Sequence, residues 1–311
     1  MHEQSVSCTR LEGHSDNIFA LAWSPKGDLL ASAGRDSTVR LWDITTGTLQ
    51  ATYHDPASSC FLSLAWSPDG RYLAAGCTAG PVYLWDVPTR SETPILTYRG
   101  HRRFVRTVAW SPDGMSIASG GDLGDSTVQI WSPTSGQTRY TYTAQYRIFA
   151  LDWSPDGEYI ASASFDGTTH VWSALGGEPV HIYQAHRSPI YALDWSARHG
   201  YLASAGEDAT LHLWTPPSVN APEPSQVPQI LDLHTRPIKA LRWSPDGTCL
   251  ASAGHDALVY VHSPFASEPR TTLRTLGMHR VWIRALAWSP DSACLASCSA
   301  STLCIWRVPH S

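Results

Sequence analysis

The sequence predicts an all-β fold: a seven-bladed propeller with four-stranded antiparallel blades. Three observations carry that prediction. Trp-Ser-Pro, or its remnant, recurs with tryptophan at positions 23, 66, 110, 153, 195, 243 and 288, spaced 42 to 48 residues apart. A second tryptophan follows nineteen residues later at 42, 85, 172 and 214, while Trp131 and Trp306 stand slightly off that interval and His262 takes the place in the sixth copy. Between these markers run short alternating segments punctuated by Pro, Gly, Asp and Ser, with no amphipathic helical pattern. A self-similar unit of this length, built from four strands, matches one propeller blade. Thirteen of the fourteen tryptophans fall on the pattern, and Trp282 stands outside it.

Each copy reads in the same order. An alternating run such as FALAW leads into the SPDG turn, whose Pro and Gly suit a tight reversal. A second strand (LLASAG), a short polar turn, a third strand (TVRLW) and a fourth (TLQATY) follow. The chain is thus one domain, 1–311, with repeats at about 12–54, 55–99, 100–143, 144–184, 185–232, 233–277 and 278–311. The last copy stops after its third strand, while the N-terminus offers an orphan strand, SVSCTRL. One segment departs from the repeat: TPPSVNAPEPSQVPQ (215–229), with five prolines, reads as an extended surface loop.

Composition removes several function classes. With 311 residues, 42% hydrophobic and 16% charged, the chain has the material for a large core and is not expected to be disordered. No apolar run approaches the ~20 residues of a membrane helix, and the opening MHEQSVSCTRLEGH lacks the stretch of a signal peptide. A formal net charge of −5 argues against a chain built mainly to coat nucleic acid. The seven cysteines (8, 60, 77, 249, 294, 298, 304) are odd in number and scattered, which points to reduced thiols and a cytoplasmic location. Cys294 and Cys298 lie on one strand, roughly 13 Å apart, too far for one zinc ion or a disulfide. No metal and no cofactor is expected.

These features resemble the WD-repeat β-propeller family over essentially the whole chain. Gly13-His14 and Gly100-His101 stand at its Gly-His position, and Trp42-Asp43 and Trp85-Asp86 at its Trp-Asp position, while Trp131-Ser132 and Trp172-Ser173 keep one member. The resemblance implies that residues 5–11 close the ring by pairing with 302–308, which brings Cys8 near Cys304. It also implies that three sets of residues form buried hydrogen-bonded tetrads: His14, Ser32, Asp36 and Trp42; His101, Ser119, Asp125 and Trp131; His186, Ser204, Asp208 and Trp214. Such sets mimic Ser-His-Asp triads, but an enzyme needs one site, and a set recurring in three blades is scaffolding. The second copy has Ala57, Ala75 and Ala79 at these positions and keeps only Trp85, so blade two is expected to be the least rigid.

The resemblance further implies that the segments leading into the inner strands share one face with the turns between second and third strands. Those seven leading segments hold nine of the 22 Lys and Arg and one acid, Asp16, whereas the SPDG turns of the opposite face carry Asp28, Asp69, Asp113, Asp156, Asp246 and Asp291. Four residues before each marker tryptophan stand Phe19, Leu62, Arg106, Phe149, Tyr191, Lys239 and Arg284, which in this family ring the channel mouth. Arg35, Phe165, Glu207 and His255 join the same face. The expected partner-binding residues are Phe19, Arg35, Arg103, Arg106, Arg147, Phe149, Tyr191, Lys239, Trp282 and Arg284, a mixture of cationic and aromatic groups suited to binding hot spots. Asp152, Asp194 and Arg242, each just before a marker tryptophan, are read as inter-blade ion pairs.

The expected function is a non-enzymatic, monomeric interaction scaffold whose basic face docks an acidic or phosphorylated peptide or protein, without membrane contact. Nucleic acid on that face is the alternative, which steep salt dependence and base stacking on Phe149 or Trp282 would mark. A regulatory domain excised from a larger signalling protein is another. An enzyme using His255 and Glu207 lacks any supporting carboxylate pair, phosphate loop or metal cluster.

Overall fold

Alternation decides which side chains each strand buries. In Ile18–Trp23 (IFALAW), Ile18 is fully buried and Leu21 and Trp23 nearly so, and the corresponding residues recur in the other copies. The computed structural model describes residues 8–308 except 56, 145, 177–178, 217–227 and 266–278. Blade one comprises Ile18–Trp23, Leu29–Gly34, Thr38–Asp43 and Leu49–His54; blade two Phe61–Trp66, Tyr72–Cys77, Val82–Asp86 and Leu96–Tyr98. Blade three comprises Val105–Trp110, Ile117–Gly121, Thr127–Trp131 and Thr138–Thr143; blade four Ile148–Trp153, Tyr159–Ser164, Thr169–Ser173 and Pro179–Tyr183. Blade five has Ile190–Trp195, Leu202–Gly206, Leu211–Trp214 and Gln229–Leu231, and blade six Ile238–Trp243, Leu250–Gly254 and Val259–His262. Blade seven has Ile283–Trp288, Cys294–Ser299 and Thr302–Arg307.

Strands pair antiparallel in chain order within each blade, and each inner strand touches the next around the ring, the seventh meeting the first. The outer strand of blade seven is Cys8–Leu11, with Cys8 opposite Trp306 and Leu11 opposite Leu303. The expected pairing is therefore seen for residues 8–11, while 5–7 lie outside the described residues. So do most of the Pro-rich segment and the stretch where a fourth strand of blade six is expected. Closing the sheet leaves no edge at the seam. Among the described residues the single helical element is a 3-10 turn, Val87–Thr89, and no helix is long and apolar enough to cross a membrane.

The core lies between blades. One cluster joins Ala31, Val39 and Tyr53 of blade one to Phe61, Trp66 and Trp85 of blade two; another joins Leu303 and Ile305 to Leu21, Trp23 and Leu11. Five of the seven marker tryptophans tie two blades together through the indole N–H, whereas the buried Trp243 Nε1 has no partner among the described residues. Trp23 donates to the Ala287 carbonyl (3.1 Å), Trp66 to Ala22 (3.0 Å), Trp110 to Ala65 (3.2 Å), Trp153 to Ala109 (3.2 Å) and Trp288 to Arg242 (3.0 Å). A second link was not legible in the repeat. The outer-strand tyrosine of one blade stacks on the third-strand tryptophan of the next: Tyr53 on Trp85, Tyr98 on Trp131 and Tyr183 on Trp214, at 5.0, 4.3 and 4.3 Å. Such stacking adds about 0.5–1.5 kcal/mol beyond area burial. At the junction of blades five and six both partners are absent, with Leu231 and His262 in their places.

The acids of the opposite face lock turns. Ser67, Ser111 and Ser244 donate to Asp69, Asp113 and Asp246 two residues on, at 2.5 to 2.6 Å, and Ser24 donates to Asp28 (2.6 Å). The glycine after the acid sits at positive φ (Gly70, 71°), where a side chain is strained, and blade seven holds Ser292 there at 61°.

Candidate functional site

The channel mouth is built by a repeated irregularity. Every inner strand slips register between its first and third residues, as between Ile18 and Ala20 or Ile238 and Ala240. The residue left unpaired is Phe19, Leu62, Arg106, Phe149, Tyr191, Lys239 or Arg284. A bulge re-aims its side chain, and all seven line one cavity of about 430 Å³. The preceding residues, Ile18, Phe61, Val105, Ile148, Ile190, Ile238 and Ile283, are buried and anchor the strands from behind.

Five lining residues are cationic (Arg106, Arg147, Lys239, Arg242, Arg284) and none is acidic. Behind the wall, however, lies Asp122, fully buried, which takes Arg106 Nη2 at 3.0 Å and Nε at 3.2 Å, and Arg147 Nε at 3.5 Å. Arg242 pairs with Asp194 at 3.1 Å. The free charge of this face is therefore smaller than the count of basic residues suggests. Asp122 escaped the sequence reading because it belongs to a turn two residues longer than the others, and the displaced Trp131 was its only signal.

The aromatic groups are occupied by these cations. Arg106 lies over Phe149 (5.4 Å), Arg147 over Phe165 (5.3 Å), Arg284 over Phe19 (5.2 Å) and Lys239 over Tyr191 (3.0 Å). Phe149 meets Tyr191 edge-on at 5.2 Å, and Tyr191 donates its hydroxyl to Glu207 at 2.6 Å. Burial pushes Lys239 down to about 8; Glu207 opposes this, while Arg106 and Arg284 add to it. Burial likewise lowers Arg284, with Arg106 and Arg35 adding to it. On the rim, Arg103 is exposed, Arg35 sits 3.6 Å from Asp16, and Trp282, 47% exposed, stacks on His255 at 4.1 Å.

The three tetrads are assembled. His14 bonds Asp36 (2.8 Å) and Ser32 (2.7 Å), and Trp42 donates to Ser32 (2.8 Å). His101 lies 3.2 Å from Asp125 and 2.8 Å from Ser119, which accepts from Trp131 at 3.1 Å. His186 bonds Asp208 and Ser204, both at 2.9 Å, and Trp214 reaches Ser204 at 3.4 Å. Burial alone would raise the Asp36 carboxyl, but the bonds from His14 and Thr38 hold it well below the carboxylate range; Asp125 is held at about 2 in the same way by His101 and Thr127. Ser32, Ser119 and Ser204 are completely buried, so the hydroxyl a triad would use as nucleophile has no access to a substrate.

Blade two replaces its missing tetrad. Buried Asp55 accepts from Tyr83 (2.7 Å), the Ala57 amide (3.0 Å) and Ser59, and Tyr83 packs among Phe61 and Trp85. The alanines that suggested looseness thus sit beside a different polar anchor. In blade five, His186, Asp208 and His212 offer ligand atoms within 4.8 Å of one another, a set that could hold a metal ion. Each is already engaged: Tyr183 bonds His212 Nδ1 (2.9 Å), His212 Nε2 meets Thr210 (3.0 Å), and Thr210 donates to Asp208 (2.8 Å). Asp152 also differs from expectation. It accepts from the backbone amides of Trp195 (2.8 Å) and Trp153 (2.9 Å), and only Asp194 forms the ion pair with Arg242.

A ring of seven such units, each with its marker tryptophan, bulge and polar anchor, defines a WD-type propeller. The sequence pattern described as "WD domain, G-beta repeat" matches residues 5–43, 47–86, 92–132, 136–173, 177–215, 225–263 and 270–307, and the chain belongs to that family. Among curated proteins it is similar to the F-box-like/WD repeat-containing protein TBL1X of Homo sapiens, 30% identical over 185 residues, which cover 60% of this chain and 26% of the human protein. It is also similar to Periodic tryptophan protein 2 of Saccharomyces cerevisiae, 36% identical over 177 residues (55% of this chain, 19% of the yeast protein). WD repeat-containing protein AAC3 of Dictyostelium discoideum is 26% identical over 169 residues (52% of this chain, 34% of that protein). The matches thus span about a third or less of these relatives' own length.

Proposed function

We propose that this propeller is a non-enzymatic interaction scaffold that docks an acidic or phosphorylated segment of a partner protein across its channel mouth. WD-repeat propellers bind proteins; the acidic character of the ligand is inferred here from the mouth itself. One observation carries it: a cavity of about 430 Å³ lined by five cations and no carboxylate. Half-exposed Trp282 beside that mouth supplies an aromatic anchor of the kind that dominates protein interfaces. Base stacking is disfavoured, because Phe19, Phe149, Phe165 and Tyr191 already carry the protein's own cations. The seven cysteines form no disulfide among the described residues, which suits a reducing cytosol.

The test uses exposed rim residues that hold nothing in place. Arg103→Glu/Arg187→Glu/Arg236→Glu would be compared with Lys26→Glu on the opposite face, in capture followed by cross-linking to map the contact. Loss of a partner only in the rim variant, with cross-links near Trp282, supports docking on this face. A partner retained by the rim variant and lost with Lys26→Glu refutes it. Arg106 is unsuitable for such a test, because an acid there would face buried Asp122.

A further inference from the structure

Cation pairing divides the mouth into two halves. On the blade three and four side, Arg106 and Arg147 share the single carboxylate of Asp122, and deeper in the channel Arg242 pairs with Asp194. On the blade six and seven side, Lys239 and Arg284 line the same cavity with no ion-pair partner among the described residues. Both are only partly exposed, both are aimed inward by the strand bulge, and each is held against an aromatic ring. Lys239, Arg284 and Arg106 act on one another electrostatically, and Glu207, which takes the Tyr191 hydroxyl, is the carboxylate that acts on Lys239. Two adjacent cations, partly removed from water and unpaired, cost free energy in the empty protein and recover it only when an anion enters.

We propose that Lys239 and Arg284 form a subsite for one phosphate monoester dianion, presented by a phosphorylated side chain of the docked partner. This rests on the docking reading and narrows it from a basic face to one group. Two cations without an ion-pair partner among the described residues match the two charges of a dianion better than the single charge of a carboxylate or a phosphodiester. A guanidinium beside an ammonium also provides the fork and the point charge that phosphate oxygens accept from. Lys239, held near 8 in the empty protein, becomes fully protonated when the dianion binds. His255, which Lys239 and Arg284 also influence, is lowered and stays neutral at that pH.

The experiment measures melting temperature and binding heat at constant ionic strength with inorganic phosphate, acetate, dimethyl phosphate and capped phosphoserine, for the parent and for Lys239→Met and Arg284→Met. Phosphate and phosphoserine are expected to raise the parent's melting temperature, and acetate and dimethyl phosphate to leave it unchanged. Without ligand, each variant should melt at or above the parent, since an unpaired cation has been removed, and each should lose at least tenfold in phosphate affinity. At pH 8 phosphate binding should take up about half a proton in the parent and none in Lys239→Met, read from the buffer dependence of the heat. Equal responses to all four anions, or an unchanged phosphate response in both variants, would overturn the subsite. Binding of phosphate without phosphoserine would overturn the side-chain source. None of these outcomes depends on the rim variants, so docking can fail or stand independently.

Discussion

Asp152→Asn tests the buried acids between blades four and six. Asp152 is pushed up from its ordinary 3.8 to about 7, first by burial and then by Asp194, which is itself raised to about 6. A carboxyl raised in the folded state stabilises fully below its unfolded value, and that contribution is lost as pH climbs through the window from about 4 to 7. Three units at about 1.4 kcal/mol each set an upper limit of about 4 kcal/mol. Asparagine keeps one oxygen for the Trp195 amide but turns an NH2 group toward the Trp153 amide, a loss of about 1–2 kcal/mol. The variant should therefore be about 2 kcal/mol more stable than the parent at pH 8.5 and equal or slightly weaker at pH 4.5. The parent's own pH profile is not the readout. His212, His262 and His279, all lowered to about 4 by burial, contribute stability that rises with pH across much of the same window. They cancel in the difference between variant and parent. Urea unfolding at pH 4.5, 6, 7 and 8.5 gives that difference, and a value constant within about 0.5 kcal/mol would refute the assignment of a raised carboxyl.

Four further outcomes are expected. Ser32→Ala leaves His14 Nε2 and the Trp42 indole without their shared partner in a fully buried place, and should lower stability by about 2–4 kcal/mol in urea. Tyr98→Phe removes the hydroxyl that donates to Gln129 (2.5 Å) and should lose about 1–2 kcal/mol, whereas Tyr53→Phe, whose hydroxyl has no partner among the described residues, should be neutral or stabilising in the same assay. Ala257→Gly relieves a left-handed residue (φ 63°) and should gain about 1 kcal/mol, seen as a rise in melting temperature. Truncation through Leu11 strips the outer strand from Thr302–Arg307 and uncovers the Leu303 and Ile305 cluster; an unchanged melting temperature would contradict closure by that strand.

Much of the fold was legible because each blade repeats its own short-range chemistry. The tetrads sit at fixed offsets within one copy, and so do the bulged positions four residues before each marker tryptophan. What could not be read depends on the neighbouring blade or on a broken offset. The stacking of Tyr98 on Trp131 links residues of successive copies, and no spacing within one copy announces it. Asp122 lies in a lengthened turn, so its role as counter-ion for Arg106 and Arg147 hides among loop residues. Asp152 looked like half of an ion pair because sequence supplies charge but not distance, and the nearest donors turned out to be backbone amides.

The tyrosine-to-tryptophan stacking has a consequence for how such a ring can change in size. Blades one to four each present a tyrosine forward to a tryptophan of the following blade, as identical links of a chain do. A duplicated unit therefore arrives with both connectors already correct and needs no redesign of its neighbours, so duplication can lengthen the array one step at a time. The pair Leu231 and His262 marks one junction where that interchangeability has lapsed, and Leu11 in the tyrosine place marks the seam as another. A unit inserted at either would meet connectors unlike its own, so copies gained or lost by recombination should fall on the Tyr53-to-Trp214 arc rather than at those joints.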